Sequence, residues 1–425
     1  MSADPMAGGW VRTPFWAPFR TRSFRFQWPA DLCVAWALEM ETLILGWYVL
    51  VETGSVMMLT LFGALQFLGT LAAPLLGTLG DRLGLRRVLA GMRLCYTVLA
   101  GVLMLMAATG QLKPVAVLCV AALAGLVRPS DIGMRTALVG ATVPPQHLMS
   151  AMGISRTSMD SAKVAGALAG VGAVAVLGMA AAYAAITALH LAGVLLTLQA
   201  DPGRAEQATL GARPSPWHEL REGLAHVWHT PQLLAAMSLA ALVNLSFFPF
   251  TAGLMPFIAR EVFGLGQAGL GALVAAWAAG SLLGSLAMSL LGGRLRPGPA
   301  MLGASLVWCA CLAGFVASRQ VGVAMALLVV AGIAQSTSML AVSMLLLRAS
   351  EPRLRGRIMG VRMLAIYPLP LGLLAAGALI PRVGYGWTAS GLLLMGLLLT
   401  VAIGAVWRRA LWPVLPAAPA VAAGR

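Results

Sequence analysis

Glu39, Glu41, Arg128, Asp131, Arg135, Arg156, Asp160 and Lys163 are ionisable residues set inside long apolar stretches. A charge in an apolar environment is costly unless something answers it, so such residues point to the handling of ions or cargo. Arg128, Asp131 and Arg135 fall at i, i+3 and i+7, one face of a helix. Arg156, Asp160 and Lys163 fall at i, i+4 and i+7, again one face. Glu39 and Glu41 are two residues apart and point about 200° apart around a helix. One of them faces a central pathway and the other a neighbouring helix; the spacing leaves open which. The four cations balance the four acids, as a network that avoids burying net charge should. Counting inward from the turn near 141–147 predicts two cross-helix pairs, Asp131–Arg156 and Arg128–Asp160. A carboxylate that loses its cationic partner in one conformation takes up a proton. Glu41 or Glu39, answered by Lys163, is the first candidate for that role and Asp160 the second. The alternative reading is that all eight only lock the helices together.

The elements that must position these charges are membrane-spanning helices. The chain has 425 residues, 60% hydrophobic and 10% charged, where a soluble chain carries about 25% charged residues. About 20 helical residues cross a hydrocarbon core. Apolar runs near that length recur at 30–50, 55–79, 88–109, 113–138, 148–178, 180–200, 233–258, 267–291, 299–317, 321–347, 357–380 and 386–406. They form two sets of six around a polar stretch, 201–232. The expected division is an N-terminal basic and aromatic arm on the membrane surface (1–28), a six-helix bundle (29–200), a linker with an amphipathic helix (201–232), a second bundle (233–407) and a tail (408–425). The runs are continuous rather than alternating, which excludes a β-barrel.

The net charge of +15 is distributed as topology requires. With the N-terminus in the cytoplasm, nineteen arginines fall on the cytoplasmic side, against only Lys113, Arg260, Arg319 and Arg382 opposite. This is the positive-inside pattern: a multi-pass protein of the cytoplasmic membrane, both termini inside. The excess charge then serves topology and contact with anionic lipid rather than nucleic acid. The five cysteines lie in apolar segments and suggest neither a disulfide framework nor a metal site. The histidines form no deep cluster. The only lysines are Lys113 and Lys163, so no phosphate-binding loop of the Walker type is present. No enzyme, cofactor or metal is expected. The expected partners are a small-molecule cargo, protons and lipid, and the expected state is a monomer.

The turn GTLGDRLGLRR, residues 77–87, carries Gly77, Asp81, Arg82, Gly84, Arg86 and Arg87 between two apolar runs. Glycines permit a sharp turn and close helix approach, and an acid beside arginines makes a contact that can exist in one conformation only. The pattern G-x-L-x-D-R-x-G-x-R-R-x-x-L resembles the loop 2–3 signature of the major facilitator superfamily, with Leu85 where the family usually has arginine. The resemblance implies an all-α membrane fold of twelve helices in two pseudo-symmetric six-helix bundles. It also implies that residues 77–87 act as a cytoplasmic gate latch bracing the first half against span 11. Met40 to Val49, HELREGLAHVWHTP (218–231), EVFGLGQAGLGAL (261–273) and LRGRIMG (354–360) are similar to the branch that holds the enterobactin exporter and related efflux proteins. DSAKVAGALAG (160–170) resembles the family's span-5 run tied to exporters, with Ala167 where proline is expected. The resemblance thus implies export of a small amphiphilic organic molecule (drug, siderophore or metabolite) in exchange for protons. An uncoupled facilitator, an importer, or a non-transporting scaffold or sensor are the alternatives. Candidate cavity residues in the second half are Asn244, Phe247, Phe248, Trp277, Gln335 and Tyr367.

Overall fold

The computed structural model describes residues 16–70, 83–200, 216–291, 295–351 and 354–412. All regular structure among them is helical. Span 1 is Arg22–Thr53, closed by Gly54 in the left-handed region (φ 61°). Span 2 begins at Val56–Leu65, where Ser55 accepts from the Met58 N–H and so caps the new helix. Span 3 is Leu85–Ala108 and span 4 is Pro114–Thr142. Spans 5 and 6 form one helical run, Pro145–Gln199, broken only at Gly178 (φ 79°, ψ 171°). The linker helix is Pro216–His229. Span 7 is interrupted: Pro231–Ser246, Phe248–Ala252, Met255–Phe257 and a π turn at Ile258–Val262. Span 8 is Gln267–Leu291, span 9 Pro297–Ala317 and span 10 Val321–Arg348. Span 11 comes in two pieces, Arg355–Leu364 and Pro368–Val383, and span 12 is Tyr385–Val406. Proline opens spans 4, 5, 7 and 9 at the first helical position, where its missing N–H costs nothing. Among the described residues nine helical runs are long and apolar enough to cross a membrane, so the chain is a multi-pass membrane protein.

Span 1 starts eight residues earlier than the apolar pattern predicts. Residues 22–28 are its first turns rather than part of a surface arm. Phe24 is fully buried and packs with Phe19 and Trp28 against Val139, Val143 and Ile154 of spans 4 and 5. Their aromatic bulk fills the core between three helices, and burial of that area outweighs exposure to lipid.

The two halves repeat one packing scheme. In the first, a Cβ added at Gly69 would lie 1.9 Å from the Leu126 carbonyl oxygen, and one at Gly125 would lie 2.0 Å from that of Leu65. Spans 2 and 4 therefore touch backbone to backbone. Spans 8 and 10, their counterparts six spans on, do the same: Gly280 meets the Val329 carbonyl at 2.0 Å and Gly332 that of Trp277 at 2.2 Å. Glycine gives van der Waals contact between helices where lipid offers no hydrophobic drive to associate.

The halves meet at spans 2 with 11 and 5 with 8. The contacts with named partners lie toward the side opposite the linker. A Cβ at Gly377 would stand 2.0 Å from Thr60 Oγ1, one at Gly63 3.1 Å from Leu373, and Arg260 donates to the Leu50 carbonyl at 3.2 Å. On the linker side, the linker helix seats on span 11: a Cβ at Gly223 would lie 3.0 Å from Val361, and Arg357 pairs with Glu222.

Candidate functional site

Between the halves lies a cavity of about 660 Å³ that reaches from Leu59 and Pro256, near the ends of the spans opposite the linker, to Ser343 and Arg362 toward the linker side. Glu39, Arg128, Arg156 and Lys163 reach it from the first half, and Arg362 from the second. Of the candidate cavity residues, Asn244, Phe248, Trp277 and Gln335 lie on the facing wall. Phe247 and Tyr367 do not. Phe247 is fully buried behind that wall, edge-on to Trp308 at 5.3 Å. Tyr367 sits at the break of span 11, outside the lining, with its hydroxyl buried. A second cavity of about 400 Å³ shares Glu39, Arg128, Arg156 and Lys163 and extends between spans 1, 4 and 5 past Asp31, Asp131 and Arg135.

The structure divides the two glutamates. Glu39 lines both cavities and has no ion pair or hydrogen bond among the described residues. Glu41 faces span 6, with its carboxylate 3.9 Å from His190 Nε2. Gly166 and Gly170 fix this rotation. A Cβ at Gly166 would lie 2.8 Å from Glu39 Cβ, and one at Gly170 3.0 Å from Met40 Cα. Span 1 presses flush on span 5, and the small-xxx-small pair holds Glu39 at the cavity wall.

Neither predicted cross-helix pair forms. Asp160, fully buried, is held by its own helix: Arg156 Nε lies at 3.1 Å and Lys163 Nζ at 3.6 Å. Asp131 turns to Arg93 at 3.7 Å. Arg128 donates to two neutral oxygens, Gln66 Oε1 and Thr42 Oγ1. Helix rotation decided the partners: Asp131 turns to Arg93 of span 3, and it shares the second cavity with Arg156 without pairing to it. Arg135 lines the second cavity, and its Nη1 lies 2.9 Å from Met159 Sδ.

Arg93 in span 3 is the residue that the list of membrane charges omits. It is fully buried, pairs with Asp31, approaches Asp131, and donates to Thr197 Oγ1 at 2.5 Å. It joins spans 1, 3, 4 and 6. The signal was present: a lone arginine in the apolar run LAGMRLCYTVLA, and an acid at position 31 that the span boundary had placed at the membrane surface. Arg362, in the first piece of span 11, brings a cation to the cavity from the second half. The balanced set of four and four therefore does not describe the site. Around the larger cavity, four cations face one acid.

Lys163 also stands 5.8 Å over the Trp277 ring, a cation–π contact between the halves. Of the loop 2–3 motif, Gly77, Asp81 and Arg82 lie outside the described residues. Gly84 (φ 92°) precedes span 3 in a conformation that favours glycine. Arg86 donates to the Leu198 and Ala200 carbonyls at 3.3 and 3.0 Å, capping the end of span 6. Arg87 is exposed. Among the described residues no cluster of three or more metal-ligating side chains occurs.

Comparison with curated proteins gives no match. Solved structures match over nearly the whole chain. A nucleoside transporter, NupG, superposes with a TM-score of 0.67 at 16% identity, covering 90% of this chain and 98% of its own. A D-xylose-proton symporter gives 0.67 at 11%, covering 89% and 96%. A POT family transporter in complex with 5-aminolevulinic acid gives 0.70 at 11%, covering 92% and 96%. At these identities the likeness is one of fold. The sequence profile of the Major Facilitator Superfamily matches residues 30–367, from within span 1 through the break in span 11. Two six-helix halves with matching glycine contacts, a charged cavity between them and that match lead to one assignment: the chain belongs to the Major Facilitator Superfamily, a family of membrane transporters rather than enzymes.

Proposed function

We propose that this protein is a proton-coupled secondary transporter that carries a small amphiphilic organic molecule across the cytoplasmic membrane by alternating access, with both termini cytoplasmic. Glu39 is the group that takes up and releases the proton. The observation that carries this reading is the position of Glu39: it is the one acid among the described residues lining the larger cavity, and no cation or donor there is paired with it. A carboxylate so placed changes its protonation as the surrounding water and cations change between conformations. Asp160 is less suited, because it is already paired with both Arg156 and Lys163. The apolar wall of Phe248 and Trp277 opposite the charged wall suits cargo with an apolar body and a polar end. The likeness of residues 160–170 and of span 1 to efflux proteins supports outward movement in exchange for protons.

A second reading, movement of cargo and proton in the same direction, is favoured by the four cations around the larger cavity. A negatively charged cargo beside Glu39 repels its charge and so binds together with a proton. The test uses purified protein in liposomes that hold a pH-sensitive dye, challenged with amphiphilic compounds. Glu39→Gln is expected to abolish proton movement while Glu41→Gln retains it. The sign of the pH change in the wild type separates exchange from co-transport. Cargo movement with no proton movement in the wild type would overturn the proton coupling.

A further inference from the structure

The charge around the larger cavity identifies the class of cargo. Arg128 is engaged by neutral oxygens only. Arg156 and Lys163 share a single acid, Asp160. Arg156 meets that acid through Nε alone, and more than half of its side chain is exposed to the cavity (53%). Arg362 enters from the opposite half and makes no ion pair or hydrogen bond among the described residues. Its charged neighbour across the cavity is Arg156, another cation. Two guanidinium groups from different halves thus line one cavity whose single lining acid among the described residues is Glu39, so its four cations are under-compensated unless a further group supplies negative charge. Guanidinium forks match carboxylate, phosphate and sulfonate oxygens.

We propose that the cargo is an amphiphilic organic anion, whose acidic group is clasped between Arg156 of the first half and Arg362 of the second while its apolar body lies against Phe248 and Trp277. The inference rests on the transporter reading but not on its direction or proton coupling. The same chemistry is present in the headgroup of an anionic lipid, so the test must separate the two sources.

The test is equilibrium binding to the full chain in nanodiscs of phosphatidylcholine, with no gradient, so that its failure leaves the proton-coupling experiment untouched. The probes are 2-naphthoate, 2-naphthamide and 2-naphthylmethylammonium, which share one ring system and differ in charge. The naphthoate is expected to bind, the amide about tenfold or more weaker, and the ammonium weaker still. Arg362→Gln and Arg156→Gln are each expected to weaken naphthoate binding about ten- to a hundredfold while leaving the amide unchanged. Arg319→Gln, in the loop between spans 9 and 10, should alter nothing. Unchanged melting temperatures in the variants show that folding is intact. Equal or tighter binding of the ammonium, or naphthoate binding indifferent to Arg362, overturns the proposal. If a soluble short-chain phosphatidylglycerol displaces the naphthoate and is itself bound far more tightly, the site belongs to a lipid headgroup, and an organic anion as cargo is overturned.

Discussion

Replacing Arg93 by methionine tests the central claim about the first half, that one buried arginine holds four spans in register. Its side chain is fully buried and its partners Asp31 and Asp131 are 5% and 2% exposed. Methionine keeps the apolar stem and volume but leaves two acids without their ion-pair partner and Thr197 without its donor. Removing one partner of a buried pair costs about 3–5 kcal/mol, and an aspartate at the centre of a membrane helix costs about 3 kcal/mol on insertion scales. The two routes agree on about 3–5 kcal/mol. At about 2–4 °C per kcal/mol for a unit of this size, the melting temperature of the variant should fall by about 10 °C. The assay is thermal unfolding in mild detergent, followed by the loss of the monodisperse peak in size exclusion. The control is the triple variant Arg93→Met, Asp31→Asn, Asp131→Asn. It removes the orphaned charges and should recover most of the loss, because neutral replacement of a buried ion group is close to neutral in stability. A fall under about 2 °C for Arg93→Met, or a triple variant no more stable than the single one, would refute the reasoning.

Two further outcomes follow from close contacts. Gly166→Val should drive span 5 away from Glu39 and cut proton-linked transport severely, whereas Gly172→Val, which has nothing within 4 Å of its Cβ, should leave transport intact; transport assays in liposomes compare them. In a background lacking the native cysteines, Thr60→Cys with Gly377→Cys should form a disulfide under mild oxidation, since the Cβ at 377 would lie 3.1 Å from that of Thr60, near bonding separation. The bridge pins spans 2 and 11 on the side away from the linker, so transport should stop and return on reduction; transport that continues through an intact bridge would show that these spans need not separate.

Much of this protein is written in its sequence. Twelve apolar runs in two sets of six specify the fold class, because a run of about 20 apolar residues spans a membrane as a helix that satisfies its own backbone. The proline starts of spans 4, 5, 7 and 9 and the i, i+3, i+4 spacing of the charges are equally local.

Partner choice could not. Asp131 and Arg156 lie at similar depth, yet Asp131 meets Arg93 and Arg156 meets Asp160, because each helix's rotation about its own axis is set by packing elsewhere. The choice between Glu39 and Glu41 was settled the same way, by glycines 166 and 170 of a different span. Arg362 sits in the first piece of span 11, and only the packing of the two halves brings it to the same cavity as Arg156. A sequence fixes the period and depth of a charge along one helix. Only the packed assembly fixes which face of that helix meets which neighbour, and so whether a buried charge is paired, locked or left for a ligand.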